Sequence, residues 1–155
     1  MLKKLLLILC LFVISLLIGA IFWQQEIKYQ MPTPVPPNYS PAALGEKINL
    51  NNELPLSESK PILIHFFNPD CPCSKFNLGE FNKILLKYKD RVDFYIIAKS
   101  EEFTEAEELK NKFSTDVIIL NDSDDVIANK CGVYATPQAV LIDTDNKLYY
   151  RGNYN

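Results

Sequence analysis

The chain has 155 residues, with 16 lysines and arginines against 19 aspartates and glutamates and a formal net charge of -3. That length holds one domain plus an appendage, and the charge leaves no basic footprint for nucleic acid. Four cysteines are too few to build a disulfide scaffold, so the core must be hydrophobic.

Lys3 and Lys4 precede an uncharged run from Leu5 to Trp23. As a helix this run spans roughly 28 Å, close to the thickness of a hydrocarbon core. It is longer than a signal-peptide h-region, and Ile18-Gly19-Ala20 is a poor cleavage signal. Trp23 sits where an interfacial aromatic belongs, and the lysines hold the N-terminus in the cytoplasm. The run reads as an uncleaved anchor, with a cleaved signal as the alternative. The expected product is a single-pass protein of the cytoplasmic (inner) membrane, with its domain on the extracytoplasmic side. Cys10, inside the run, lacks the small preceding residue of a lipoprotein signal and reads as a small hydrophobe.

Met31 to Pro41 carries five of the ten prolines, which makes a semi-extended spacer rather than a helix. Ala42 to Ser59 has mixed patterning, with a short strand expected around Lys47 to Leu50. The expected organisation is therefore an anchor over 1–30, a linker and transition over 31–59, and a domain over 60–155.

From Pro61 the periodicity is clear. Ile62 to Phe67 is a continuous apolar run suited to a strand buried on both faces. Phe76, Phe81, Ile84, Leu85 and Tyr88 form a helical stripe, and Val92 to Ala98 reads as a second strand. Thr104 to Phe113 predicts a helix with acidic residues in its first turn, where the positive helix end favours them. Val117 to Leu120 is a short strand. Asp122 to Asp125 is a loop entering a helix through about Lys130, without the glycine and closing glutamate of a calcium loop. Gln138 to Ile142 and Lys147 to Arg151 predict two strands joined by a hairpin-like turn. Strands alternating with helices and ending in a hairpin argue for an α/β sheet with helices on both faces.

The chemistry concentrates in Asn68-Pro69-Asp70-Cys71-Pro72-Cys73-Ser74-Lys75, between the first apolar strand and the first amphipathic helix. A cysteine at such a junction sits among free backbone N–H groups that stabilise a thiolate. With Cys71 as the N-cap, Pro72 falls at the first helical position, where its missing N–H costs nothing. The Cys71 sulfur then accepts from the N–H of Cys73 or Ser74, which lowers its pKa and makes it the nucleophile. The plainer alternative has Asp70 as the cap, opposing ionisation of Cys71, and two incidental cysteines in a turn.

Strand, Cys-Pro-Cys, helix, strand, helix, an extra strand–helix pair, then Ala135-Thr136-Pro137 before a hairpin resembles the thioredoxin-like superfamily. The resemblance covers roughly Pro61 to Gly152 and is nearest to the membrane-anchored extracytoplasmic thiol–disulfide oxidoreductases and redoxins. It implies a thioredoxin-like sheet flanked by helices, with a strand–helix insertion and a preceding transmembrane helix. It also implies a cis proline at Pro137 facing the cysteines, the alternative being a trans proline starting an edge strand. His65, six residues before Cys71, falls where that family holds a buried proton-shuttling acid. It could act as a base, or be a strand histidine bonded in the core. Cys131, six residues before Pro137, is a candidate resolving thiol or a buried small hydrophobe.

Two departures stand out. The family carries Cys-x-x-Cys, whereas this chain has Cys-x-Cys. Residues two apart on a regular helix point nearly opposite ways, so a Cys71–Cys73 disulfide needs a bent turn, and the expected direction is oxidant or isomerase. Cys71 paired with Cys131 is the alternative. The sequence also stops just after the hairpin, without the family's closing helix, which suggests a partly uncovered sheet face or a truncation. The expected activity is exchange with protein thiols and disulfides, served by a redox partner and requiring no cofactor. Cys71 attacks, and Cys73 or Cys131 resolves. A peroxiredoxin-like peroxidase is disfavoured because the Pro-x-x-x-Thr-x-x-Cys motif is absent. A copper or zinc site built from Cys71, Cys73, Cys131 and His65 is a further alternative.

Overall fold

The computed structural model describes residues 2–27, 33–55, 59–69, 71–99, 103–108, 113 and 117–154. They fall into two compact units, Met1–Pro34 and Val35–Asn155. In the first, helix α1 (Leu2–Phe22) runs into a π-helical turn, Trp23–Ile27. Leucine, isoleucine and phenylalanine cover α1 on every side, and none of its residues is buried. Its one hydroxyl, Ser15, donates back to the Leu11 carbonyl at 2.9 Å and so needs no water. Leu2–Gln25, with a mean hydropathy of 3.2, is long and apolar enough to cross a membrane, a test that a signal sequence also meets.

The second unit is built on a five-stranded sheet in the order β3-β2-β1-β4-β5. Strand β1 (Ile62–Phe66) lies at its centre, parallel to β2 (Asp93–Ala98) and antiparallel to β4 (Gln138–Ile142). β3 (Ile118–Asn121) extends the parallel half, and β5 (Leu148–Gly152) completes a hairpin with β4. Between the strands run α2 (Pro72–Tyr88), α3 (Phe103–Glu108) and α4 (Val126–Cys131). The helix expected over 104–113 is described only as far as Glu108, and residues 109–112 lie outside the described set. The pair β3–α4 is the extra strand–helix pair that the element order implied.

Side chains alternate along β1, so the central strand feeds two cores. Ile62, Ile64 and Phe66 join Tyr95, Ile97, Val140, Ile142 and, from α4, Ile127, Ala128 and Cys131. Phe67 joins Phe81 and Leu85 of α2 with Phe94, Ile96 and Ala98 of β2, and Leu63 packs against them. His65 faces this second core, with its ring stacked on Phe81 at 5.1 Å between centroids.

Three local devices fix the C-terminal half. Asp122 is buried, and its two carboxylate oxygens accept from the N–H groups of Ile127 and Ala128 at 3.0 and 2.9 Å. It thereby satisfies donors that the start of α4 leaves open. Asp143 Oδ1 accepts from Asp145 and Lys147 N–H at 2.9 and 2.8 Å, closing the hairpin. This engages Lys147 in the turn, and β5 begins one residue later than the sequence pattern suggests. Gly132 ends α4 at φ 67°, in the left-handed region. A Cβ there would also lie 2.4 Å from Arg151 Nη1 and 2.7 Å from Pro41 Cβ, so only glycine fits.

The stretch ahead of β1 belongs to the core. Gly45 and Ile48 N–H donate to the carbonyls of Leu148 and Asn146, both at 2.7 Å, and Leu148 N–H donates to the Glu46 carbonyl at 2.9 Å. The strand expected around Lys47 is a single bridge, Lys47 to Lys147, lying along the outer edge of β5. Ile48, Leu50 and Leu54 are buried in the β1–β4 core.

Candidate active site

β1 ends at Phe66, and α2 begins six residues later at Pro72. Cys71 is the N-cap of α2, with φ -86° and ψ 118°, and Pro72 follows in the first turn. Asp70, the alternative cap, lies outside the described residues. Cys71 and Cys73 are joined by a disulfide, with their Cα atoms 5.3 Å apart. The expected cap bond to the Cys71 sulfur is not made: α2 has no side-chain cap hydrogen bond. That sulfur is committed to Cys73, and it is the Cys71 carbonyl that accepts from Ser74 N–H, at 3.0 Å.

Two residues that the sequence reading left without a role hold this turn. The Asn68 side-chain oxygen accepts from Cys71 N–H at 3.2 Å. Ser74, fully buried on the first turn of α2, accepts from Asn68 N–H through Oγ at 3.2 Å. The two bonds brace the loop between strand and helix from both sides. An asparagine three residues before the capped position is a recognisable turn signal. A serine whose hydroxyl turns inward leaves no mark in the sequence.

The two sulfur-bearing residues differ in access. Cys71 is only 6% exposed. Cys73 is exposed, as are its neighbours Pro72, Lys75 and Phe76. The cap position turns the Cys71 side chain inward, whereas Cys73 on the first turn of α2 is exposed.

Thr136–Pro137 is a cis peptide bond. Gln138, the next residue, pairs with Phe66, the last residue of β1. The pairing brings Pro137 to the end of the sheet from which the cysteine turn departs.

His65 and Cys131 are both fully buried. Desolvation lowers the His65 pKa to about 3, so the ring is neutral near neutral pH. Its Nδ1 lies 3.0 Å from the Tyr154 hydroxyl, while Nε2 has no hydrogen-bond partner among the described residues. Burial, with a smaller contribution from Tyr150, also raises the Tyr154 pKa and keeps that phenol protonated. A histidine so placed takes up a second proton poorly. No sequence signal links it to Tyr154, 89 residues away. Cys131 is a free thiol, pushed up to about 12 first by desolvation and then by Asp122. Such burial is the usual setting of a cysteine packed as a small hydrophobe. Among the described residues, no three His, Cys, Asp or Glu side chains come together as metal ligands.

The fold is similar to that of several solved proteins. A secreted Mycobacterium tuberculosis disulfide oxidoreductase homologous to E. coli DsbE aligns at TM-score 0.53 and 23% identity, over 63% of this chain and 71% of that one. A candidate thiol:disulfide interchange protein DsbE from Chlorobium tepidum aligns at TM-score 0.59 and 14% identity, over 72% and 86%. The exposed lipoprotein thioredoxin Etrx1 of Streptococcus pneumoniae aligns at TM-score 0.53 and 14% identity, over 63% and 77%. The fold is therefore thioredoxin-like: a mixed five-stranded sheet with flanking helices and an apolar helix at the N-terminus. A search of curated proteins finds no match. Residues 42–155 match the model of the family described as Domain of unknown function (DUF6436), and the chain belongs to that family.

Proposed function

We propose that this protein is an extracytoplasmic thiol–disulfide oxidoreductase, held at the cytoplasmic membrane by its N-terminal helix and acting on cysteines of exported proteins. The observation that carries the reading is the Cys71–Cys73 disulfide at the junction of β1 and α2, with one of its residues open to solvent. A disulfide at a helix N-terminus is suited to exchange, because the helix end stabilises the thiolate released when the bond opens. Compartment supports it as well, since disulfides persist outside the cytoplasm, where an anchored or exported domain resides. The similar proteins described as secreted or exposed agree with that side of the membrane.

The working pair is Cys71 and Cys73. Pro137, at the same end of the sheet, lines the approach of the substrate segment. His65 and Cys131 take no part: the first is neutral down to about pH 3, and the second is protonated up to about pH 12.

The test equilibrates the full chain, in detergent, with glutathione or dithiothreitol buffers and maps the disulfide by peptide mass. A reversible two-electron couple confined to Cys71 and Cys73 is expected. Its potential is expected to lie well above the roughly -270 mV of thioredoxin, because the Cys-x-Cys spacing closes a tighter ring. Disulfide transfer to a reduced model protein must vanish in the Cys71→Ser/Cys73→Ser double variant. A disulfide that dithiothreitol leaves intact in the folded protein would end the proposal.

A further inference from the structure

We propose that Cys73, rather than Cys71, is the sulfur that substrate attacks and that carries the mixed disulfide, with Cys71 as the leaving and resolving thiol. The proposal rests on the exchange reading above and assigns its order.

Thiol–disulfide exchange is an in-line displacement, so the attacking thiolate must reach one sulfur from the side opposite the other, and access decides which sulfur is attacked. Cys71 is 6% exposed, at the base of the turn, whereas Cys73 stands on the open first turn of α2 between exposed Pro72 and exposed Lys75. An approach to Cys73 comes from solvent. Cys71 offers an incoming thiolate little surface.

The leaving group gives an independent argument. When Cys73 is attacked, the electron pair of the broken bond goes to Cys71, the N-cap of a 17-residue helix. Negative charge is favoured there by the helix end. The Asn68 and Ser74 bonds keep the Cys71 backbone at that cap without using its sulfur. The buried sulfur is thus suited to leave and to return, and the exposed one to be attacked.

In the oxidising direction, a substrate thiolate bonds to Cys73 Sγ as the Cys71–Cys73 bond breaks, leaving a thiolate on Cys71. A second substrate thiolate then attacks the first substrate sulfur and expels Cys73 as a thiolate. The substrate loses two electrons to the protein pair, and the protons of its two thiols pass through water to the two protein thiolates. In the reducing direction Cys73 attacks the substrate disulfide, and Cys71 then displaces the substrate by attacking Cys73.

The experiment uses the full oxidised chain in detergent, exposed briefly to glutathione, quenched with acid, alkylated and fragmented across Pro72 to locate the glutathione. The adduct is expected on Cys73, and an adduct mainly on Cys71 would overturn the order. Single variants give a second readout. With oxidised glutathione, which loses one glutathione thiolate in the exchange, Cys71→Ser should form a stable adduct at least about tenfold faster than Cys73→Ser, and the reverse ranking would also overturn the proposal. Because the mapping uses the native protein, it stands even where a variant folds badly. If neither sulfur takes up glutathione and the native disulfide resists reduction, the exchange reading itself fails. Adduct on Cys71 refutes only the order.

Discussion

At the N-terminus of α2, Cys71 and Cys73 are bonded to each other, and Cys73 faces solvent. At the C-terminus of α4, Cys131 is a free thiol with no exposed surface. The residue type is the same, and the helix end and the burial decide what it can do. A helix N-terminus offers unpaired N–H groups to a thiolate, whereas a C-terminus offers carbonyls, which a thiolate avoids. The α4 end is also closed over: Arg151 Nη1 donates to the Cys131 carbonyl at 3.1 Å and to the Ala42 carbonyl at 3.0 Å, and the Tyr39 hydroxyl donates to the Gly132 carbonyl. One cysteine-bearing end meets solvent, and the other is covered.

The largest effect that follows is kinetic. In the reduced native protein at pH 8, Cys131 should be alkylated at least roughly a thousandfold more slowly than an ordinary thiol, because burial holds it at about 12. Peptide mapping of a timed alkylation series checks this, with denaturant added as the positive control. Labelling of Cys131 at a rate near that of Cys73 would erase the contrast and restore it as a resolving thiol.

Burial acts on His65 as it does on Cys131, beneath α2 rather than at the end of α4. The unfolded chain binds a proton at His65 near pH 6.5, whereas the folded protein binds one only near pH 3. Protons therefore favour the unfolded state between those values, and stability falls as pH drops below about 6.5. The slope approaches about 1.4 kcal/mol per pH unit, or roughly 2 kcal/mol between pH 7 and pH 5. Urea midpoints of the native protein and of His65→Leu across that range measure it: the native curve should slope and the variant curve should lie flatter by about one proton. Equal slopes would mean that His65 is protonated in the fold and available for proton transfer after all.

Much of this contrast was written in the sequence, though unevenly. Ile62 to Phe67, Val92 to Ala98 and Gln138 to Ile142 are mostly apolar runs of strand length, and they carry the sheet. The junction holding Cys71 and Cys73 was equally legible, because Pro72 and the amphipathic stripe beyond it mark a helix start. Which sulfur faces outward was not legible, since an i, i+2 spacing says only that the two point apart, not which one meets the core. The stretch around Ile48, Leu50 and Leu54 read as a transition because three well-spaced apolar residues in a polar loop have no period. Backbone bonds of Gly45, Glu46 and Ile48 with the β4–β5 hairpin lay the stretch along it, and all three apolar side chains are buried in the core. The partnership of His65 with Tyr154 depends on a contact across 89 residues, and no local pattern encodes it.

The smallest effect separates what shapes the cysteine turn from what tunes its chemistry. Ser74 Oγ accepts from Asn68 N–H and makes no cap bond to either cysteine. Its removal in Ser74→Ala deletes one part-buried hydrogen bond, a loss of about 1 kcal/mol. Because the bond braces the loop whether or not the sulfurs are joined, the loss should be equal in the oxidised and reduced proteins. Equal losses cancel in the redox equilibrium, so the potential of Ser74→Ala should match that of the native chain. Urea midpoints in both redox states and a glutathione titration together make the measurement. A potential displaced by more than about 20 mV, equivalent to roughly 1 kcal/mol for a two-electron couple, would mean that Ser74 favours one state of the pair. The serine would then belong to the chemistry of the open helix end rather than to its scaffold.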